Sequence, residues 1–288
     1  MTTLSSFYLD KTVVITGAGS GIGKALAQCF ANLGARLAIA DIDAELIENV
    51  AETLRKENND IEVLTAVFDV AEKSSWQSFL KEAYKRHGKI DMLINNAGIE
   101  GSSKPVWATS DETLERVMSV NFFAMVNGSK AVLPYLAERP WAALVNVSSI
   151  FGLIGPPNTA DYAASKFAIR GYTESLHAEL SQIHPQIQVH LVHPGGINTN
   201  ITRVEESQAF KSKFLTTPPS DLANFIAKSV MRNQPRIVFG NQSTLVKLAS
   251  RLLPLNWLSK LISQEMKKLN MTADYTKDHP GFKIKDNK

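Results

Sequence analysis

The chain of 288 residues is 44% hydrophobic and 20% charged, with a formal net charge of +3 and a single cysteine. That balance suits one large globular domain and excludes disordered, collagen-like and disulfide-scaffold chains; its basic residues are scattered rather than striped, so a nucleic-acid footprint is also excluded. The opening MTTLSSFYLDK lacks the basic and apolar regions of a signal peptide and no run reaches 18 uninterrupted apolar residues, so a cytoplasmic location is expected.

In chain order, the first predicted strand is TVVIT (12–16), and TGAGSGIG (16–23) follows with four glycines in eight positions. Glycine costs about 0.5–1 kcal/mol relative to alanine inside a regular element, so such a cluster belongs where the backbone turns tightly or is closely approached. A helix is predicted over 22–33. A glycine turn between a strand and a helix N-terminus presents unpaired N–H groups and partial positive charge to a pyrophosphate. Cys29 lies in the apolar-periodic stretch KALAQCFANLG and reads as a buried helical thiol.

The second strand (36–40) ends at Asp41. An acid about 20 positions past the glycines, at the tip of the neighbouring strand, can accept hydrogen bonds from the adenosine ribose and repel a 2′-phosphate, which favours NAD over NADP. Neither Ser20 nor Ile42 supplies a cation for that phosphate. The competing reading makes Asp41 the N-cap of the helix over 43–56, a task open to Asp43 as well.

Further strands are predicted at 62–68, 91–95, 142–148, 187–193 and 236–240, with helices over 74–86, 111–137 and 162–183. The strands are apolar on both parities, as two-sided burial requires, and parallel strands need crossover connections. The expected architecture is α/β: a Rossmann-like doubly wound parallel sheet of about seven strands with helices on both faces, forming a single catalytic domain over 1–240. A C-terminal amphipathic helical extension (241–270) and a polar tail (271–288) follow.

On the helix over 162–183, Tyr162 and Lys166 stand at i and i+4 and share a face. A nearby cation stabilises phenolate; lowering a tyrosine pKa from about 10 toward 7 needs roughly 4 kcal/mol of differential stabilisation and would make Tyr162 an acid/base at neutral pH. The six histidines show no metal-ligand spacing, so no catalytic metal is expected.

TGAGSGIG (16–23), Asp69-Val70, NNAG (95–98), Asn121, Ser149 thirteen residues before Tyr162, YAASK (162–166) and HPGGINT (193–199) together resemble the short-chain dehydrogenase/reductase family, NAD-preferring branch, over about residues 10–240. The resemblance implies that Tyr162 exchanges a proton with the substrate oxygen, that Lys166 binds the nicotinamide ribose and depresses the tyrosine pKa, and that Ser149 hydrogen-bonds the reacting oxygen. Asn121 would hold a water in a proton relay ending at Lys166. For the cofactor it implies Gly17, Ser20, Ile22 and Gly23 at the phosphate turn, Asp41 at the ribose, Asp69 and Val70 at the adenine, and Asn96, Ala97 and Gly98 on the adenosine side. Pro194, Gly195, Ile197 and Thr199 would flank the nicotinamide.

The implied activity is an NAD-dependent interconversion of an alcohol and a ketone or aldehyde. An NADPH-dependent ketone or ketoacyl reductase and a non-catalytic dinucleotide sensor or scaffold are the alternatives. Enzymes of this family cover the substrate with a loop corresponding to 200–219, which here holds Ile201, Phe210, Phe214 and Leu215; an apolar substrate is one reading and packing of the lid is the other. A homodimer or homotetramer is expected through helices 111–137 and 162–183, which carry Phe122, Phe123, Met125 and Leu176 on more than one face. In the extension, Leu245, Leu248, Ala249 and Leu252 follow helical spacing, Pro254 interrupts, and Leu258, Leu261, Ile262, Met266 and Leu269 resume it. Lys247, Arg251, Lys260, Lys267 and Lys268 stand against one acid, Glu265. Packing beside the lid is the leading reading for these two helices, with a subunit contact or an anionic membrane surface as alternatives.

Overall fold

The computed structural model describes residues 3–199 and 213–267. Its strands are β1 (Thr12–Thr16), β2 (Arg36–Asp41), β3 (Val63–Val67), β4 (Met92–Asn95), β5 (Ala142–Val147), β6 (Ile187–Pro194) and β7 (Arg236–Phe239). They pair in parallel throughout, in the order β3-β2-β1-β4-β5-β6-β7. The order reverses direction between β1 and β4, which opens a crevice at the carboxyl ends of those strands.

The helices are α1 (Leu4–Tyr8), α2 (Gly21–Asn32), α3 (Ala44–Glu57), α4 (Lys73–His87), α5 (Asp111–Met118), α6 (Ala124–Ala137), α7 (Ala160–Ile183), α8 (Pro219–Met231), α9 (Ser243–Leu252) and α10 (Leu255–Lys267). Alternation along β1 divides the core. Val13 and Ile15 face the side covered by α1, α2, α3 and α8, through residues such as Phe30, Ile47 and Ile226. Val14 faces α4, α6 and α7, through Trp76, Leu136 and Leu180. Both faces are therefore covered, as the apolar runs require.

Three features depart from the sequence reading. The helix expected over 111–137 is two, α5 and α6, joined by a π-helical segment, Ser119–Phe123. Two helices had no counterpart. α1 has five residues, too few to show a 3.6-residue period; a capping box between Thr3 and Ser6 starts it, and the Tyr8 hydroxyl donates to the Ala227 carbonyl at 2.7 Å. α8 carries Pro219 in its first turn and buries Leu222, Ala223, Ile226, Ala227 and Val230, a readable helical pattern that stood next to the loop expected over 200–219. Within that loop, residues 200–212 lie outside the described residues, as do the tail and Lys268 and Leu269.

A polar network is buried where the sheet meets α6 and α7. The Asn95 amide donates to Asn146 Oδ1 (2.9 Å) and Ser129 Oγ (3.2 Å), and the Asn146 amide donates to Thr173 Oγ1 (3.1 Å). These bonds link strand tips and helices beneath the crevice.

Candidate active site

The glycine turn has the form that its composition implied. Gly17 has φ +65°, and a β-carbon there would lie 2.8 Å from the Ala97 Cα. At Gly23 a β-carbon would collide with the Gly17 carbonyl oxygen, so only glycine lets the first turn of α2 press against the glycine turn. Ser20 occupies the N-cap of α2 without a side-chain cap bond, leaving the N–H groups of that turn to an incoming anion. Asn96 clamps the turn from the other side, donating to the carbonyls of Thr16 (2.9 Å) and Gly17 (3.2 Å), while the Ala97 N–H donates to Thr16 Oγ1 (3.3 Å).

Asp43 caps α3, accepting from the N–H groups of Glu45 (3.1 Å) and Leu46 (3.0 Å). The capping reading of Asp41 is thereby removed. Its carboxylate accepts instead from the Gly19 N–H (2.8 Å) and the Asp43 N–H (3.1 Å), standing on the crevice wall against the glycine turn. Beyond it, Asp69 accepts from the Ala71 N–H (2.9 Å) and pairs with the Arg116 guanidinium (2.8 Å).

One cavity of about 810 Å³ runs along the crevice. Its wall includes Gly17, Ser20, Ile22, Asp41, Asp69, Val70, Asn96, Ala97, Gly98, Ser149, Tyr162, Lys166, Pro194, Gly195, Ile197 and Thr199. Gly23 and Asn121 are not in that wall; they stand behind it. Asn121, within the π segment, accepts from the Ile99 N–H (2.8 Å) and donates to the Ile99 carbonyl (3.0 Å) and Ser165 Oγ (3.0 Å). A π-bulge is a common device at functional sites, and here it carries the Asn121 amide to the backbone beside Gly98. A β-carbon on Gly98 would fill the gap, lying 3.2 Å from Asn121 Oδ1 and 3.4 Å from Lys166 Nζ.

Ser149 follows β5 and begins a 3₁₀ turn, its hydroxyl accepting from the Phe151 N–H (3.1 Å). Ser149 and Tyr162 are hydrogen-bonded. Lys166, buried, donates to the Val147 carbonyl (3.3 Å) and lies 5.4 Å from the centre of the Tyr162 ring. Desolvation acts on both groups: it raises the Tyr162 phenol to about 12, with the Ser149 hydrogen bond opposing, and lowers the Lys166 ammonium to about 8. The expected depression of Tyr162 toward 7 is therefore absent in the protein alone, because burial disfavours phenolate more than its neighbours favour it.

Two supporting residues escaped the sequence reading. Asp161, buried at the start of α7, accepts from the Tyr162 N–H (2.7 Å) and the Ser102 N–H (2.7 Å), which ties the loop after β4 to the helix bearing Tyr162. In sequence it is indistinguishable from an ordinary first-turn acid. His193 donates from Nδ1 to the Ser149 carbonyl (2.7 Å), and burial pushes its pKa down to about 4, which keeps it neutral.

The far end of the cavity is apolar. Phe151, Ile154, Phe214 and Leu215 line it together with Val246 and Ala249 of α9 and Leu258, Ile262 and Met266 of α10. The extension thus contributes directly to the cavity wall. Among the described residues of the wall the cations are Arg116, which pairs with Asp69, and Lys166.

The model of the family described as "short chain dehydrogenase" matches residues 11–209. SadH of Mycobacterium tuberculosis, a candidate oxidoreductase, is 35% identical over 261 residues, covering 87% of this chain and 93% of its own. Cyclopentanol dehydrogenase of a Comamonas species is 33% identical over 192 residues, covering 67% of this chain and 76% of its own. In structure, a short-chain dehydrogenase/reductase from Burkholderia phymatum in complex with NAD superposes with a TM-score of 0.78 at 25% identity, covering 91% of this chain and 96% of that one.

Proposed function

Because this chain belongs to the short-chain dehydrogenase family of oxidoreductases, which act on CH–OH or carbonyl groups, we propose that it interconverts an apolar alcohol and its ketone or aldehyde with NAD. The observation that carries this reading is the hydrogen-bonded pair Ser149–Tyr162 beside Lys166, on the wall of a cavity lined both by the glycine turn and by the apolar side chains of α9 and α10.

The residues present fit a dinucleotide. The glycine turn leaves room that a β-carbon would fill, and the open N-cap of α2 offers N–H groups to a pyrophosphate. Gly17, Ser20, Ile22 and Gly23 would form that cradle, Asp41 would take the ribose hydroxyls, and Asp69 and Val70 would flank the adenine. Asn96, Ala97 and Gly98 would support the adenosine side, with Pro194, Gly195, Ile197 and Thr199 at the nicotinamide. The Asp41 carboxylate repels a 2′-phosphate, and Arg116, the cation on that side among the described residues of the wall, already pairs with Asp69; both favour NAD over NADP. Bound NAD supplies the hydride acceptor, and NADH the donor.

In the reducing direction the Tyr162 hydroxyl, protonated throughout the neutral range, donates its proton to the carbonyl oxygen while the Ser149 hydroxyl hydrogen-bonds the same oxygen. In the oxidising direction Tyr162 takes the alcohol proton, which requires phenolate. Lys166, whose Nζ lies 5.4 Å from the Tyr162 ring centre, would hold the ribose. Asn121 would hold a water that leads the proton away past Lys166. A cytoplasmic setting accords with this use of NAD.

A screen of alcohols with NAD and of ketones with NADH, followed by absorbance of the reduced nicotinamide, tests the reading. Turnover of apolar substrates with NAD(H) is expected. In Asp41→Ala combined with Ile42→Arg, the kcat/KM ratio should move toward NADP(H). A wild-type preference for NADPH would overturn the cofactor assignment and favour the ketoacyl-reductase alternative.

A further inference from the structure

The outer face of α9 and α10 is apolar where a folded chain normally shows charge. Leu245, Leu248, Leu252, Leu255, Trp257 and Leu261 are 46 to 75% exposed. On α9, Leu245, Leu248 and Leu252 stand at i, i+3 and i+7 and form one stripe. Val246 and Ala249 border that stripe on the cavity side; Lys247 and Arg251, at i and i+4, border it on the other. On α10, Leu258, Ile262 and Met266 face the cavity at i, i+4 and i+8, which turns Trp257, Lys260 and Lys267 outward. The acid of the segment, Glu265, pairs with Lys213 at 3.3 Å. An apolar stripe carrying leucine and tryptophan, edged by four cations, is left facing solvent.

We propose that this face docks on an anionic lipid surface, with α9 and α10 lying in the plane of the interface. Leucine and tryptophan on one side and lysine or arginine along the edge are what an interfacial helix needs: area to bury among acyl chains and charge for the headgroups. Neither helix spans, since no helix among the described residues is long and apolar enough to cross a membrane. Charge also decides against a second copy as the occupant. A two-fold contact sets a patch against itself, so Lys247, Arg251, Lys260 and Lys267 would meet their own equivalents, whereas phosphate headgroups complement them. The site has a functional position too: Leu245 and Leu261 belong both to the exposed face and to the wall of the cavity, so docking sets the apolar end of the cavity against the lipid.

The test is flotation of the full-length protein with vesicles of phosphatidylglycerol mixed into phosphatidylcholine, compared with phosphatidylcholine alone. The protein should float with the anionic vesicles, and binding should fall at least about tenfold on neutral vesicles or in about 0.5 M sodium chloride. Two double variants, Leu248→Glu with Trp257→Glu and Lys247→Glu with Arg251→Glu, should each lose at least about tenfold of the binding with an unchanged melting midpoint. Folded wild type that stays with the bulk solution, or binding undiminished in both variants, would overturn the proposal. So would a concentration-dependent rise in mass by light scattering that the Leu248→Glu, Trp257→Glu variant abolishes, because the face would then belong to a second copy. None of these readouts depends on the substrate or on turnover.

Discussion

At the residue scale, helical spacing puts Tyr162 and Lys166 on one face, but it was the surrounding motifs that singled the pair out; their proton affinities were not legible, because desolvation depends on what the fold packs around them. With Tyr162 held well above its ordinary value and Lys166 lowered to about 8, oxidation should accelerate as pH rises from 6 toward 8 while reduction stays flat through neutrality; initial rates in both directions between pH 6 and 10 check this. Asp161 was illegible for a different reason: its partners are backbone N–H groups of a loop 59 residues away in sequence. Asp161→Ala strands the Ser102 and Tyr162 N–H groups, and should cost on the order of 2 kcal/mol of stability and about tenfold in kcat/KM. Asp161→Asn keeps one acceptor oxygen and should fall between, so steady-state kinetics and thermal melts of the two variants separate positioning from mere folding. The histidines give a pH signature. Burial pushes His190 and His193 from 6.5 down to about 4, so the unfolded chain binds protons first as pH drops. Stability should hold above pH 6.5 and decline as pH falls through 4, by roughly 3 kcal/mol for each imidazole, and His190→Asn should flatten the decline in denaturant titrations.

At the element scale, the strands and most helices followed from periodicity to within a residue or two, and so did the break at Pro254 between α9 and α10. The π segment did not, since the 111–137 pattern reads as continuous and nothing in it marks that Asn121, within the segment, bonds the Ile99 backbone. Deleting 244–288 removes Val246, Leu258, Ile262 and Met266 from the cavity. KM for bulky apolar alcohols should then rise about tenfold or more, with that for small alcohols and the affinity for NAD little changed. Equal effects on small and bulky substrates in a folded truncation would show that the extension does not shape the substrate end.

At the scale of the whole molecule, alternating strand and helix patterns specify one parallel sheet with helices on both faces, and the reversal between β1 and β4 explains why motifs scattered from Gly17 to Thr199 converge on one crevice. Assembly is a separate matter. Leu114, Phe123 and Phe167 are exposed on α5, the π segment and α7, which supports the homodimer or homotetramer proposed for these helices. Light scattering at micromolar concentration should give an oligomer that Phe123→Glu with Phe167→Glu dissociates; a wild-type monomer would contradict it. The activity itself rests on one proton, carried by the Tyr162 hydroxyl. The most direct measurement is NAD-linked oxidation of an accepted apolar alcohol by wild type and by Tyr162→Phe, with NADH binding followed alongside. The account predicts that kcat falls at least about 100-fold while NADH binds as before; near-normal turnover by Tyr162→Phe would contradict it.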